Sequence, residues 1–493
     1  MQKNIIMLFN SFDFLIFFPI VVLVYWILPG KLRNPMLLIA SYYFYMNWEP
    51  VYALLILFSS ITTWACAKLI EKTAKPAVSS NCNTLKFNNL QIGGGKKAIL
   101  TVCIIINLGI LFLYKYLGFV GDSIRSILDI IGIGIYIPHF ELLLPVGISF
   151  YTFQALGYII DVYRGDIKAE HNFFTYALFV SFFPQLVAGP IERAKNLLPQ
   201  FHEKHYFNGN FMIAGLKMMI WGYFMKLCIA DSVSSYVDAV FNNIDLHNGK
   251  SIWLASFFFT FQIFCDFAGY SLIAIGTAKC LSFHLMQNFR QPYLANNVKD
   301  FWRRWHISLS TWLGDYIYKP LGGNKEGEFK HHRNLFVTFL ISGLWHGANW
   351  TFVLWGLYHG FLQSLLVAKN KLKSKVDISW TIPKIAGIII TFILMLFGWV
   401  LFRANNIHDA WVAWKKMIHP SGMLFNGEGK PAIVLPIIMI GILMCREIIN
   451  EFNIGHNTLT KNLYLSGICS GLLIIIIFMC ANFDGGQFIY FQF

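Results

Sequence analysis

Apolar side chains run along this chain in long stretches rather than alternating or recurring every third or fourth position. They fall near residues 12–28, 36–69, 98–120, 124–162, 173–190, 211–230, 251–283, 335–367, 383–402, 432–449 and 464–482. A helix needs about 20 apolar residues to cross a hydrocarbon core of about 30 Å, and an open stretch of backbone cannot satisfy its own polar groups in lipid. The pattern therefore predicts an all-α, polytopic membrane protein with about 11–12 spans. Asn47, Trp48, Glu49 and Pro50 interrupt the stretch 36–69, which predicts a tight hairpin between a short helix and a full one. The run 12–28 is expected to remain as a first span, because it has no small-residue cleavage site and further apolar runs follow.

Composition supports the same class. Of 493 residues, 56% are hydrophobic and only 13% charged, where a soluble domain carries roughly 25% charged residues. A disordered chain, a collagen and a disulfide-stapled module are excluded. The net charge of +14 comes from 39 Lys and Arg against 25 Asp and Glu. The basic residues sit between apolar runs, where they mark cytoplasmic loops, and no nucleic-acid motif accompanies them. Residues 68–97 carry lysines 68, 72, 75, 86, 96 and 97 against Glu71. Residues 369–384 carry lysines 369, 371, 373, 375 and 384 against Asp377. Residues 285–334 carry eight Lys or Arg and four acids. All three are expected on the cytoplasmic face. Nine cysteines without a CxxC pair are read as buried thiols, with neither disulfide nor metal role.

Polar residues inside apolar runs are expensive and so become functional candidates. His346, in Ser342-Gly-Leu-Trp-His-Gly-Ala-Asn-Trp350, lies between the apolar runs 335–345 and 350–367, both flanked by loops assigned to the cytoplasm. The chain is therefore expected to enter and turn back. Eleven helical residues rise about 16 Å, which puts His346 near mid-depth on a re-entrant element. Asn349 falls in the same turn. The segment Asp300-Phe-Trp-Arg-Arg-Trp-His306, continuing to Asp315 and Asn324, is amphipathic and rich in interfacial aromatics. It reads as an interfacial helix, with Arg303 and Arg304 placed to attract a phosphate-bearing donor and His306 on a polar path toward His346. Asp266 either pairs with a base on a neighbouring helix or lines the same cavity. His331 and His332 are expected to be solvated. His359 stands 13 residues after His346 and shares no metal-ligand spacing with it, so no metal site is expected. HExxH and GxSxG are absent, and Gly121-Asp-Ser-Ile124 lacks the strand that a nucleophile elbow requires.

A buried histidine reached from a basic entrance suits the removal of a proton from a hydroxyl that attacks a thioester. Imidazole is the side chain best matched to that proton near neutral pH, and no covalent enzyme intermediate is required. The spacing names no acyl group.

The blocks 302–324 and 342–356 resemble the signature of the membrane-bound O-acyltransferase superfamily, of the alginate O-acetylation protein I type. Leu8-Phe-Asn-Ser-Phe-Asp-Phe14, Leu144-Pro-Val-Gly-Ile-Ser-Phe-Tyr-Thr-Phe-Gln154, Ser181-Phe-Phe-Pro-Gln-Leu-Val-Ala-Gly-Pro-Ile191, Asn288-Phe-Arg-Gln-Pro-Tyr-Leu294 and the closing Phe488-Ile-Tyr-Phe-Gln-Phe493 are similar to family blocks in the same order. The resemblance implies a single integral-membrane acyltransferase domain over 1–493, with helices ringed about a central funnel. It makes His346 the catalytic residue and His306 a second functional histidine. It implies an acyl thioester such as acetyl-CoA as donor substrate, with no tightly bound cofactor. The expected acceptor is a hydroxyl of an exported cell-envelope or extracellular polysaccharide such as alginate, reached directly or through an extracytoplasmic SGNH, esterase-like partner. The expected location is the cytoplasmic (inner) membrane. Two positions depart from the family pattern: Leu272 stands where an Asp is usual, and Gly314 where an Arg is usual.

Two other readings compete. One is transfer of D-alanine or another acyl unit to a cell-wall polymer. The other is a transporter or flippase using His346 and Asp266 as proton-relay groups, although the chain shows a single broken helix where transporters have a pair.

Overall fold

In a computed structural model the described residues are 7–73, 94–135, 138, 142–187, 189–376, 383–427, 429, 431–454, 463–481 and 488–489. Lys75, Lys86, Asp377 and residues 490–493 of the closing block lie outside them, as do the side chains of Lys373 and Lys375. The described residues are helical with no strand and form two compact units.

The first unit holds α1 (Phe12–Ile27), α2 (Gly30–Met46), α3 (Ala53–Lys72), α4 (Gly94–Leu111), α5 (Leu117–Ile131), α6 (Ile148–Arg164), α7 (Phe173–Ser181) and α8 (Ala194–His202). The expected hairpin in 36–69 is present, with α2 ending at Met46 and α3 beginning at Ala53. Polar residues buried between these helices satisfy one another. Ser59 donates to Asn107 at 2.7 Å, and the Thr63 and Tyr176 hydroxyls meet at 2.7 Å. Hydrogen bonds of this kind fix helix register where lipid supplies no partner.

The second unit holds α9 (Gly209–Tyr223), α10 (Asp231–Phe241), α11 (Gly249–Cys280), α12 (Val298–Arg304), α13 (Ile307–Leu313), α14 (Glu328–His346), α15 (Trp350–Val376), α16 (Lys384–Arg403), α17 (Ile407–Ile418), α18 (Pro431–Phe452) and α19 (Leu463–Cys480). Its axis is α11, 32 residues long and therefore about 48 Å. Of its most apolar window, 89% is buried, so this helix faces protein on nearly all sides. A helix that is apolar all round has no lipid-facing stripe to orient it, and neighbours cover it instead.

Seven described helices are long and apolar enough to cross a membrane, and Phe12–Ile27 and Leu465–Cys480 are shorter apolar helices. The sequence count of about 11–12 is larger because it scores apolar runs. The run 173–190, for example, folds as nine-residue α7 followed by the single turn Phe183–Leu186. Large apolar side chains such as Leu23, Ile105, Ile389 and Phe478 stand exposed on these helices, as a lipid-facing surface requires. The described cysteines are all free.

Candidate active site

The site lies within the second unit. His346 is carried by α14, which begins at Glu328, seven residues before the apolar run that marks it in the sequence. Its 19 residues span about 28 Å. The chain turns at Gly347, and α15 then returns along α14. The close approach depends on two glycines. A Cβ at Gly343 would fall 2.2 Å from the Phe352 carbonyl oxygen, and one at Gly356 would fall 2.3 Å from that of Phe339. At the far end Lys371 pairs with Glu328, so both open ends of the hairpin lie together, and the first leg is longer than the eleven-residue, mid-depth leg expected from the sequence. Asn349 caps the return: its side-chain oxygen accepts from the Thr351 N–H at 3.0 Å.

His346 ends α14 and is 2% exposed. Its ring stands 5.0 Å from Trp345, 5.0 Å from Trp355 and 5.3 Å from Phe402, centroid to centroid. His306 lies 6.3 Å away, against Phe267 at 4.6 Å and Trp345 at 5.5 Å. The two imidazoles are thus close enough to address one reacting centre inside an aromatic box that excludes water.

His306 adopts φ 41 and ψ 54 at the start of α13, a left-handed conformation that costs a non-glycine residue free energy. Two backbone bonds hold it there. Arg290 N–H donates to the Arg304 carbonyl and Ile307 N–H to the Asn288 carbonyl, each at 2.9 Å. The Asn288 side chain, 1% exposed, accepts from the Ser308 hydroxyl at 2.6 Å and donates to that of Ser271 at 3.1 Å. The block 288–294 thus has a physical role as the strap that fixes His306. His306 lies in a connecting segment rather than a candidate span, and its complete burial pushes the imidazole well below its ordinary value, favouring the neutral form.

Two cavities of about 490 Å³ each approach this pair. One is lined by Lys299, Trp302, Arg303, Tyr318, His331 and Ser342, among others. His331, Leu335, Thr338, Phe339 and Ser342 form one face of α14 along this cavity, and His346 follows Ser342 by one helical turn. The other cavity is lined mainly by polar residues, among them Lys226, Asp231, Gln262, Asp266, Asn349 and Arg403, with Phe352 and Phe402 in its wall. Phe402 also touches His346. His346 therefore borders the walls of a basic, half-apolar cavity and of a polar one.

The structure separates the other sequence candidates. Arg303 lines the basic cavity. Arg304 does not; it is held by Asp300 at 3.0 Å and by both oxygens of Glu451 at 2.7 and 3.1 Å. Asp315 forms an ion pair with Lys319 at the surface. Asp266 pairs with Lys226 at 2.6 Å, the first of the two readings, and it lines the polar cavity, whose wall does not include His346. Asn349 lines that cavity as well. Leu272 lines a separate pocket of about 250 Å³, and Gly314 lines the basic cavity with open space where a side chain would project. His331 and His332 sit on α14, with the basic cavity touching His331. His359 is buried against Trp302 and Trp355. Lys226, Asp231, Gln262 and Arg403 join the site without having stood out in the sequence. Lys226 had a signal, since it interrupts the apolar run 211–230, and it sits on a π-helical turn, Phe224–Ala230, a distortion frequent at functional sites. Among the described residues no three His, Cys, Asp or Glu side chains gather into a metal-holding group.

A helical integral-membrane protein with two buried histidines, one of them bordering the walls of two cavities, is the class that fold and site define. The membrane-bound O-acyltransferase family matches residues 166–407, and the chain belongs to that family; it is an acyltransferase. It is 37% identical over 418 residues to the probable alginate O-acetylase AlgI of Pseudomonas aeruginosa, covering 83% of this chain and 75% of that protein. It is 35% identical to the peptidoglycan O-acetyltransferase of Helicobacter pylori, covering 85% of this chain and 81% of the relative. The teichoic acid D-alanyltransferase of Bacillus subtilis matches at 28% identity over 55% of this chain and 71% of its own length.

Proposed function

We propose that this protein moves an acetyl group from a cytosolic thioester, such as acetyl-CoA, to hydroxyls of an exported cell-envelope polysaccharide, with His346 as the general base. The observation that carries this reading is the position of His346 between the two cavities. Lys299, Arg303 and His331 around one mouth suit an anionic donor, and basic surroundings favour the cytoplasmic face of the inner membrane for that mouth. The polar cavity opposite receives the acceptor.

In the reaction, His346 takes the proton of the acceptor hydroxyl as its oxygen attacks the thioester carbonyl. His306, neutral in its aromatic setting, donates an N–H to the oxygen on which charge develops. The carbon–sulfur bond then breaks, and the departing thiolate recovers the proton from the His346 imidazolium, leaving an ester and a free thiol. Holding the three groups together supplies several kcal/mol of the barrier, and the surrounding indoles keep water from hydrolysing the thioester. The donor is a substrate, not a resident cofactor. The accepting hydroxyl is the polymer's own or a serine hydroxyl of an extracytoplasmic, esterase-like partner, which then passes the acetyl group on to the polymer and is itself regenerated. The whole chain acts as one integral-membrane acyltransferase.

The test is polymer-bound acetate, released by mild base from cells expressing wild type, His346→Ala or His306→Ala at matched membrane abundance. His346→Ala is expected to lower it by at least ~100-fold, the scale of a lost general base. Unchanged acetate with a stable His346→Ala protein overturns the assignment.

A further inference from the structure

The charges around the polar cavity are unbalanced in a way that bears on what can enter it. Among the described residues its lining holds two cations, Lys226 and Arg403, and three carboxylates, Asp231, Asp238 and Asp266. Both cations are already engaged. Lys226, its side chain 2% exposed, contacts Asp231 at 2.7 Å and Asp266 at 2.6 Å. Arg403 donates to Asp238 at 2.7 Å and to the Asn242 side chain at 3.1 Å. The second oxygen of Asp266 accepts from the Ile489 N–H at 2.7 Å, which fixes its carboxylate in place. The remaining polar wall consists of neutral amides and hydroxyls: Asn242, Gln262, Asn349, Thr351 and Asn405 on the chain's own helices and turns, with Ser234 beside Asp238.

A ligand carboxylate entering this space leaves water without gaining a cation, and it meets carboxylates that already hold both cations of the described lining. Burying an unpaired charge is costly, and like-charge juxtaposition is a standard device for rejecting a wrong partner. A sugar bearing only hydroxyls and amides meets the opposite situation. Side-chain amides and carboxylates hydrogen-bond to its hydroxyls without a ligand charge being buried. A space of about 490 Å³ falls in the range of small-ligand pockets and is large enough for one or two pyranose units.

From this deficit of free cations we infer that the polar cavity is a binding site for uncharged sugar units and rejects uronates. The inference rests on the reading of this cavity as the acceptor side, and it narrows the acceptor class. A polyuronate would then be acetylated only through an uncharged intermediary.

The test is equilibrium binding of two probes to the purified full-length protein in detergent at low salt: a neutral β-1,4-linked glucose hexamer and a β-1,4-linked mannuronate hexamer. The neutral hexamer is expected to bind at least ~10-fold more tightly. Asp238→Asn, which frees Arg403 from its carboxylate partner, is expected to narrow that ratio by strengthening mannuronate binding. Equal or tighter binding of the mannuronate hexamer by wild type overturns the inference, and so does failure of both probes to bind. Loss of the binding preference with normal cellular acetate transfer refutes this inference alone, whereas normal transfer by His346→Ala refutes the catalytic reading.

Discussion

Arg303 and Arg304 are neighbours in sequence and part company in space. Consecutive positions on a helix are turned about 100° from one another and do not share a face, so one guanidinium lines the basic cavity while the other closes an ion pair with Glu451 and Asp300. Of the two, Arg303 is the one placed to meet the anionic donor proposed for the basic cavity. Arg303→Ala is expected to raise the apparent KM for the acetyl donor about 10-fold, the scale of a lost charge-assisted contact, with little change in thermal stability. Arg304→Ala is expected to do the reverse, lowering the unfolding midpoint in detergent. Lys226 interrupts an apolar run, but its pairing could not be read from the sequence because its partners come from 5 and 40 residues away, and register between facing helices is not written in either helix alone. Lys226→Ala leaves Asp231 and Asp266 buried without their cation. It is expected to cost about 3–5 kcal/mol, read as collapse of monodisperse protein during purification. Lys226→Met combined with Asp266→Asn is expected to recover part of the loss. For His306 the sign of the pH effect is fixed by burial. Its folded-state value lies below the unfolded one, so the unfolded chain binds the proton more readily and stability falls as pH drops below about 6.5. The unfolding midpoint is expected to be lower at pH 5 than at pH 7.5, and His306→Gln should shrink that difference.

The α14–α15 hairpin shows what hydropathy reads and what it does not. The turn at Gly347 and the burial of His346 were both legible, because a glycine beside a lone ionisable residue inside an apolar run marks a place where the chain bends and a polar group is deliberately buried. The first turns of α14 were not, since Lys330, His331, His332 and Arg333 are indistinguishable from loop by composition. These residues continue the helix toward the headgroup side while their charges reach water, which makes α14 a full-length helix instead of an eleven-residue stub. The strap 288–294 was visible only as a block of family resemblance. Its role depends on Asn288 bridging Ser271 and Ser308, a tertiary fact. At this scale Gly343 is the sensitive position, because its neighbour across the hairpin is backbone and cannot rotate away. Gly343→Val is expected to push α15 from α14 and to displace His346, lowering polymer acetate about 100-fold, as a misplacement of about 1 Å can do. Val at Gly441, where a Cβ meets nothing within 4 Å, is expected to leave acetate unchanged.

For the whole molecule, fold class followed from composition and run length, because a lipid-facing surface leaves the chain no alternative to helices. The family followed from motif order along the chain. Neither showed that His346 borders the walls of two cavities, since Ser342 and Arg403 look unremarkable in sequence and acquire meaning from the faces they share. The central claim is that acyl transfer runs across the membrane through His346, from the basic cavity to the polar one. The most direct measurement is sidedness. Single cysteines at Asn324 in the lining of the first cavity and Asn405 in that of the second, both exposed, would be labelled with a membrane-impermeant maleimide in right-side-out and inverted vesicles, against the parent protein as background. The account predicts that Asn324→Cys is labelled only in inverted vesicles and Asn405→Cys only in right-side-out vesicles. Labelling of both from the same face would contradict it.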